Sequence, residues 1–173
     1  YKAFTLFSSG KAYFDKSDYD RAIADFNEAI RLDPKYALAF HQRGNAYGRK
    51  GDSDRAIADL DEAIRLNPQY ADSFVERGNA YLRKGDQDRA IADYTEAIRL
   101  YPTYAIAFNN RGLVYQRKAD NDRALADFNE AIRLDPKYAH AFCNRGRVKL
   151  RVGDATGNAD IEKGRELDAS YCR

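Results

Sequence analysis

The chain has 173 residues, with 29 Lys and Arg against 27 Asp and Glu, a formal net charge of +2 and 44% hydrophobic residues. So balanced a charge leaves no electrostatic footprint for nucleic acid or an anionic membrane surface, and the composition is that of a folded chain rather than a disordered one. No apolar run approaches the ~20 residues of a membrane span, no signal peptide is visible, and two cysteines, Cys143 and Cys172, do not make a disulfide framework.

The redox compartment is therefore left open. The sequence contains no methionine. A processed form or a fragment is expected on that ground, with the natural N-terminus and any targeting segment outside it.

The four prolines, Pro34, Pro68, Pro102 and Pro136, are spaced 34 residues apart. Each sits in the same surroundings: Leu32-Asp33-Pro34-Lys35-Tyr36-Ala37 returns as Leu66-Asn67-Pro68-Gln69-Tyr70-Ala71, then around Pro102 and Pro136. Self-similarity at this period predicts a solenoid of stacked units. Numbered from the alanine after each tyrosine, the repeats are 3–36, 37–70, 71–104, 105–138 and a shorter fifth, 139–171.

Within each unit, apolar and small residues recur at positions 4, 8 and 11, as in Phe40, Gly44 and Tyr47. That spacing is one face of an α-helix. A second set follows at positions 20, 24, 27, 28 and 30: Ala56, Leu60, Ala63, Ile64 and Leu66. Between them lies Gly51-Asp52, with copies at Gly85-Asp86 and Gly153-Asp154. Glycine ends the first helix, aspartate caps the second, and proline blocks its continuation. Each unit thus reads as helix A, turn, helix B, turn, with no strand alternation.

The fifth unit departs from this pattern. Lys149 replaces the aromatic at position 11, one residue is missing after Asp154, and Gly157 and Gly164 replace the alanines at 20 and 27. Its polar last helix is expected to cap the array.

Phe40, Gly44, Tyr47, Ala56, Leu60, Ala63 and Pro68 resemble the tetratricopeptide repeat (TPR) signature position for position, as do Phe74, Gly78, Tyr81, Ala90, Tyr94, Ala97 and Pro102. The resemblance covers essentially the whole chain. It implies an all-α, right-handed TPR superhelix whose A helices line a concave groove through positions 2, 5, 6, 9, 12 and 13. The groove candidates are His41, Asn45, Arg49, Glu76, Asn79, Arg83, Asn109, Asn110, Arg117, His140, Asn144 and Arg147. These positions vary between repeats while the packing positions do not.

An asparagine amide both donates and accepts, so a row of them can hold an extended peptide backbone. A solvated helix surface, or a bond to a neighbouring repeat, fits the same residues. A second candidate is apolar: Phe4, Phe7 and Phe14 lie at positions 2, 5 and 12 of the first repeat, surplus to the packing set. Contiguous exposed aromatics mark an interface, here for a partner side chain or a second copy of the chain. The arginines at position 13 suit a helix C-terminus, and those at position 7 with the acids at 23 and 26 suit inter-repeat ion pairs.

The family's chaperone-tail clamp needs lysine at position 5, where this chain has Phe7, His41, Val75, Asn109 and Cys143. The clamp is absent. No phosphate loop, dinucleotide fingerprint or metal-ligand motif is present, and His41 and His140 lie three repeats apart. The expected function is non-catalytic binding of a peptide or protein segment, without cofactor, metal, nucleic acid or membrane. The alternatives are a regulatory or targeting segment of a larger enzyme, and a self-assembling array.

Overall fold

The computed structural model describes residues 1–172. The described residues form α-helices and no strand: α1 (Lys2–Asp15), α2 (Tyr19–Leu32), α3 (Ala37–Arg49), α4 (Ser53–Leu66), α5 (Ala71–Arg83), α6 (Gln87–Leu100), α7 (Ala105–Arg117), α8 (Asn121–Leu134), α9 (Ala139–Arg151) and α10 (Gly157–Leu167). They fall into two compact units, Tyr1–Asp93 and Tyr94–Arg173, divided within α6. In the first, α1 packs on α2 and α3 on α4, and the pairs join through α2–α3 and α4–α5. In the second, α7 packs on α8 and α9 on α10, and the pairs join through α8–α9.

The pairing follows from side-chain size. The alanines at positions 20 and 27 of the first four repeats are all buried, which lets the helix backbones approach. A Cβ on Gly44 would lie 2.9 Å from Leu60 Cγ. The aromatic or leucine at position 24 fills the remaining space: Phe26, Leu60, Tyr94 and Phe128 are all essentially inaccessible.

Helix B starts on a side-chain cap. Asp18, Asp52, Asp86 and Asp120 each accept from the backbone N–H three residues on, at 3.0–3.2 Å. The same carboxylates hold the arginine at that position, whose guanidinium lies over the tyrosine at position 11. Cap, ion pair and helix-pair packing are thereby one cluster.

A second arginine, at position 7, spans more of the fold. Arg43, Arg77, Arg111 and Arg145 each grip an aspartate of their own helix B with two parallel hydrogen bonds of 2.5–2.9 Å, to Asp59, Asp93, Asp127 and Asp160. Each also reaches back to the preceding repeat, to Asn27, Asp61, Thr95 and Asn129. The first repeat has Ser9 at this position, and there Asp25 Oδ2 is buried without a partner.

The fifth repeat's glycines answer to its packing. A Cβ on Gly157 would meet the Gly146 carbonyl oxygen at 2.5 Å, so α10 sits closer on α9 than an alanine allows. A Cβ on Gly164 would overlap the sulfurs of both Cys143 and Cys172, which form a disulfide. Two cysteines are too few for a disulfide framework, and the one bond they form is not read from the sequence.

The turn between helices A and B needs a left-handed residue at position 15. Gly51, Gly85 and Gly153 supply it with φ of +84°, +82° and +86°, whereas Ser17 and Ala119 adopt φ of 61° and 60°. A side chain in that region costs about 1–2 kcal/mol. Nothing lies within 4 Å of the Cβ position at the three glycines, so backbone conformation alone sets the preference. Ala119→Gly is therefore expected to stabilise the chain by about 1 kcal/mol in urea denaturation, and an unchanged or lower midpoint contradicts this.

Candidate functional site

In the first unit, the inner face is built by α1, α3 and α5. Its polar surface includes Gln42, Asn45, Asp72, Glu76 and Asn79, all half-buried, with Arg49 and Arg83 exposed at the helix C-termini. Asn79 Nδ2 donates to Glu76 Oε2 at 3.3 Å. Arg83 lies across Gly48, where a Cβ would fall 2.7 Å from its guanidinium nitrogen. Leu38 and Phe4, at position 2, are the exposed apolar elements at 38% and 64%.

In the second unit, the inner face is built by α7 and α9. Asn110 and His140 are half-buried, and Arg117 and Arg147 are exposed. Ile106, at position 2, is 45% exposed.

Three expected groove residues do not present to solvent. His41, Asn109 and Asn144 are 4%, 2% and 2% exposed. Asn144 Nδ2 donates to Asn109 Oδ1 at 3.0 Å, joining two repeats, and Asn109 Nδ2 donates to Asn110 Oδ1 at 3.3 Å. His41 Nδ1 lies 3.0 Å from Ser73 Oγ.

The reason is a contact that the helical wheel omits. Position 5 faces the tyrosine that closes its own repeat, 29 residues later. Phe7 meets Tyr36 with centroids 5.0 Å apart, His41 meets Tyr70 at 4.9 Å, and Asn109 hydrogen-bonds Tyr138. Cys143, at position 5 of the fifth repeat, is fully buried and bonded to Cys172. Position 5 is a packing position in these repeats. The signal for it was the tyrosine at position 34, as regular as any core residue yet assigned no neighbour.

The apolar candidate is corrected in the same way. Phe7 packs on Tyr36 and, at 5.9 Å, on Phe26; Phe14 stands edge-on to Tyr19 at 5.4 Å. Both are half-buried, and Phe4 alone of the three is exposed.

Burial shifts the titration of this layer. It drives the His41 imidazole down to about 4, against a weaker pull upward from Asp72, and lifts the Tyr70 and Tyr138 hydroxyls to about 12. Among the described residues, no three His, Cys, Asp or Glu side chains gather as metal ligands, and no helix is long and apolar enough to cross a membrane.

Family models match most of the chain: one described as TPR repeat over residues 10–51, and two described as tetratricopeptide repeat over 41–105 and 105–138. No curated protein sequence matches. Among solved structures, MamA 41-end from Desulfovibrio magneticus RS-1 is similar, with a TM-score of 0.83 at 20% identity, over 98% of this chain and 96% of that one. TTC0263, a thermophilic TPR protein in Thermus thermophilus, gives 0.80 at 21%, over 96% and 92%. YrrB, described as a TPR protein with an unusual peptide-binding site, gives 0.73 at 21%, over 96% and 87%. At these identities the similarity concerns the fold.

The His41 shift has a measurable consequence. Its folded pKa lies below the unfolded value of ~6.5, so between pH 4 and 6.5 the unfolded chain binds more protons, and stability falls as pH drops through that window. The loss at pH 4 is on the order of 3 kcal/mol. Phe7 already fills the equivalent position beside Tyr36, so His41→Phe is expected to fold and to flatten this part of the pH profile of the denaturation midpoint. A variant profile as steep as the wild type's contradicts the assignment.

Proposed function

This chain belongs to the tetratricopeptide repeat family, and from that premise we propose that it is a non-catalytic module that holds a peptide or protein segment along the inner faces of its A helices. The observation that carries this reading is the contrast within each A helix. Packing positions 4, 8 and 11 repeat almost unchanged and the variable position 5 is covered, whereas positions 2, 6 and 9 change along the array, with Asn110 and Asn144 alike at 6 and Asn45 and Asn79 alike at 9, and, Asn144 excepted, keep partial exposure. In the first unit these positions put the exposed Leu38 and Phe4 on the same row of A helices as the half-buried Asn45, Glu76 and Asn79. An apolar side chain of a ligand fits against the former, and backbone amides pair with the latter. That YrrB is described as having a peptide-binding site supports the reading.

A second reading is self-association through the first repeat. It rests on Phe4, which at 64% exposure presents an unshielded aromatic ring.

The test is selection of binders from a displayed peptide library, followed by calorimetry. Asn45→Ala combined with Asn79→Ala is expected to weaken a selected peptide at least about tenfold, the loss of one to two hydrogen bonds. Arg65→Ala on helix B is expected to leave it unchanged. Equal affinity of wild type and the asparagine variant overturns the groove. Mass growth with concentration that Phe4→Ser abolishes selects the second reading.

A further inference from the structure

Three departures from the repeat pattern meet at one point. Cys143 takes position 5, Gly164 takes the position that is alanine in the other four repeats, and Cys172 follows Tyr171. The two sulfurs occupy the space that a Cβ on residue 164 would fill. The Cα atoms are 5.7 Å apart, within the range a disulfide requires.

Cys172 stands 29 residues after Cys143. That is the separation at which position 5 meets the closing tyrosine in Phe7–Tyr36 and His41–Tyr70. The one-residue deletion in the fifth repeat puts a cysteine where the tyrosine would fall. A covalent bond thus replaces an aromatic contact.

Tyr171, displaced by one residue, moves onto the inner face. Its ring lies 3.7 Å from that of His140 and 5.8 Å from the Arg147 guanidinium. Arg165 Nε donates to the Cys172 carbonyl oxygen at 2.9 Å. Elsewhere the corresponding layer is held by packing that no oxidant or reductant changes.

The geometry points to a redox-operated latch: the Cys143–Cys172 disulfide fastens residues 168–172 over α9, and reduction by a dithiol releases them and uncovers the half-buried His140. A dithiol thiolate attacks the Cys172 sulfur when the segment opens locally, and Cys143 leaves as a thiolate and takes up a proton. The second thiol of the reductant then attacks the mixed disulfide, and Cys172 leaves as a thiol. Two electrons and two protons pass to the protein, and the reductant becomes a cyclic disulfide. The released segment keeps two hydrogen bonds to α10, from Asp168 N–H to the Gly164 carbonyl oxygen and from Arg165 Nε to the Cys172 carbonyl oxygen, and the Tyr171 contacts with His140 and Arg147, all non-covalent and individually weak, whereas α9 and α10 remain paired through Arg145–Asp160 and Lys149–Asp160.

Hydrogen exchange and iodoacetamide labelling of the whole chain, with and without dithiothreitol, test this. Oxidised protein is expected to resist alkylation. Reduced protein is expected to be alkylated without denaturant, and amides of 168–172 to exchange roughly tenfold faster or more while α1–α8 stay protected. Cys172→Ser without reductant is expected to reproduce the reduced pattern. Unchanged tail exchange after reduction, or thiols reached only in denaturant, shows that packing holds the segment and overturns the latch. Loss of protection throughout α9 and α10 shows a structural staple and overturns it equally.

Discussion

From the second repeat on, one guanidinium per repeat carries the connection between helix pairs. Arg43, Arg77, Arg111 and Arg145 each spend two donors on an aspartate of their own helix B and another on the preceding repeat. Arginine suits this because its donors lie in one rigid plane, so one side chain fixes the mutual position of three helices. Burial alone opposes the charge on Arg77, but the carboxylates of Asp93 and Asp61 outweigh it and hold the cation firmly protonated. Apolar packing between the helices has no such direction, and the small residues that let backbones touch leave sliding cheap. The arginine fixes the register.

That arrangement decides which residues are left for a ligand. Packing takes positions 4, 8 and 11, the guanidinium takes 7, and the closing tyrosine takes 5. The inner surface is what remains at 2, 6 and 9, with arginines along its edge. A narrow strip of variable residues on a fixed frame suits recognition, because its side chains change without disturbing the seams. Asn144, at position 6, is the exception. Its amide bonds Asn109 in the neighbouring repeat, so the same residue type serves packing in the second unit and surface in the first.

The frame was legible in the sequence because it is periodic. Prolines 34 residues apart, alanines at 20 and 27 and the capping aspartates each report a local rule obeyed again and again. The candidate site was legible only as a face of a helix. Asn45 and Asn79 lie on that face, half-exposed, whereas His41, Asn109 and Cys143 lie on it and are covered by residues 29 positions away. A helical wheel places neighbours three and four residues apart and is blind to a loop that folds back over it. The disulfide was hidden for the same reason: Cys143, Gly164 and Cys172 look like unrelated irregularities of a decaying repeat until the deletion is counted.

The first repeat offers the most direct test of the arginine's role, because Ser9 stands at its position and Asp25 Oδ2 is buried unpaired. Urea denaturation of Ser9→Arg should be measured alone and in an Asp25→Asn background. A directional bridge predicts a gain of about 1 kcal/mol that the Asp25 substitution removes. An equal gain in both backgrounds, or none in either, would contradict the claim that the guanidinium–aspartate grip fixes each helix A on its helix B.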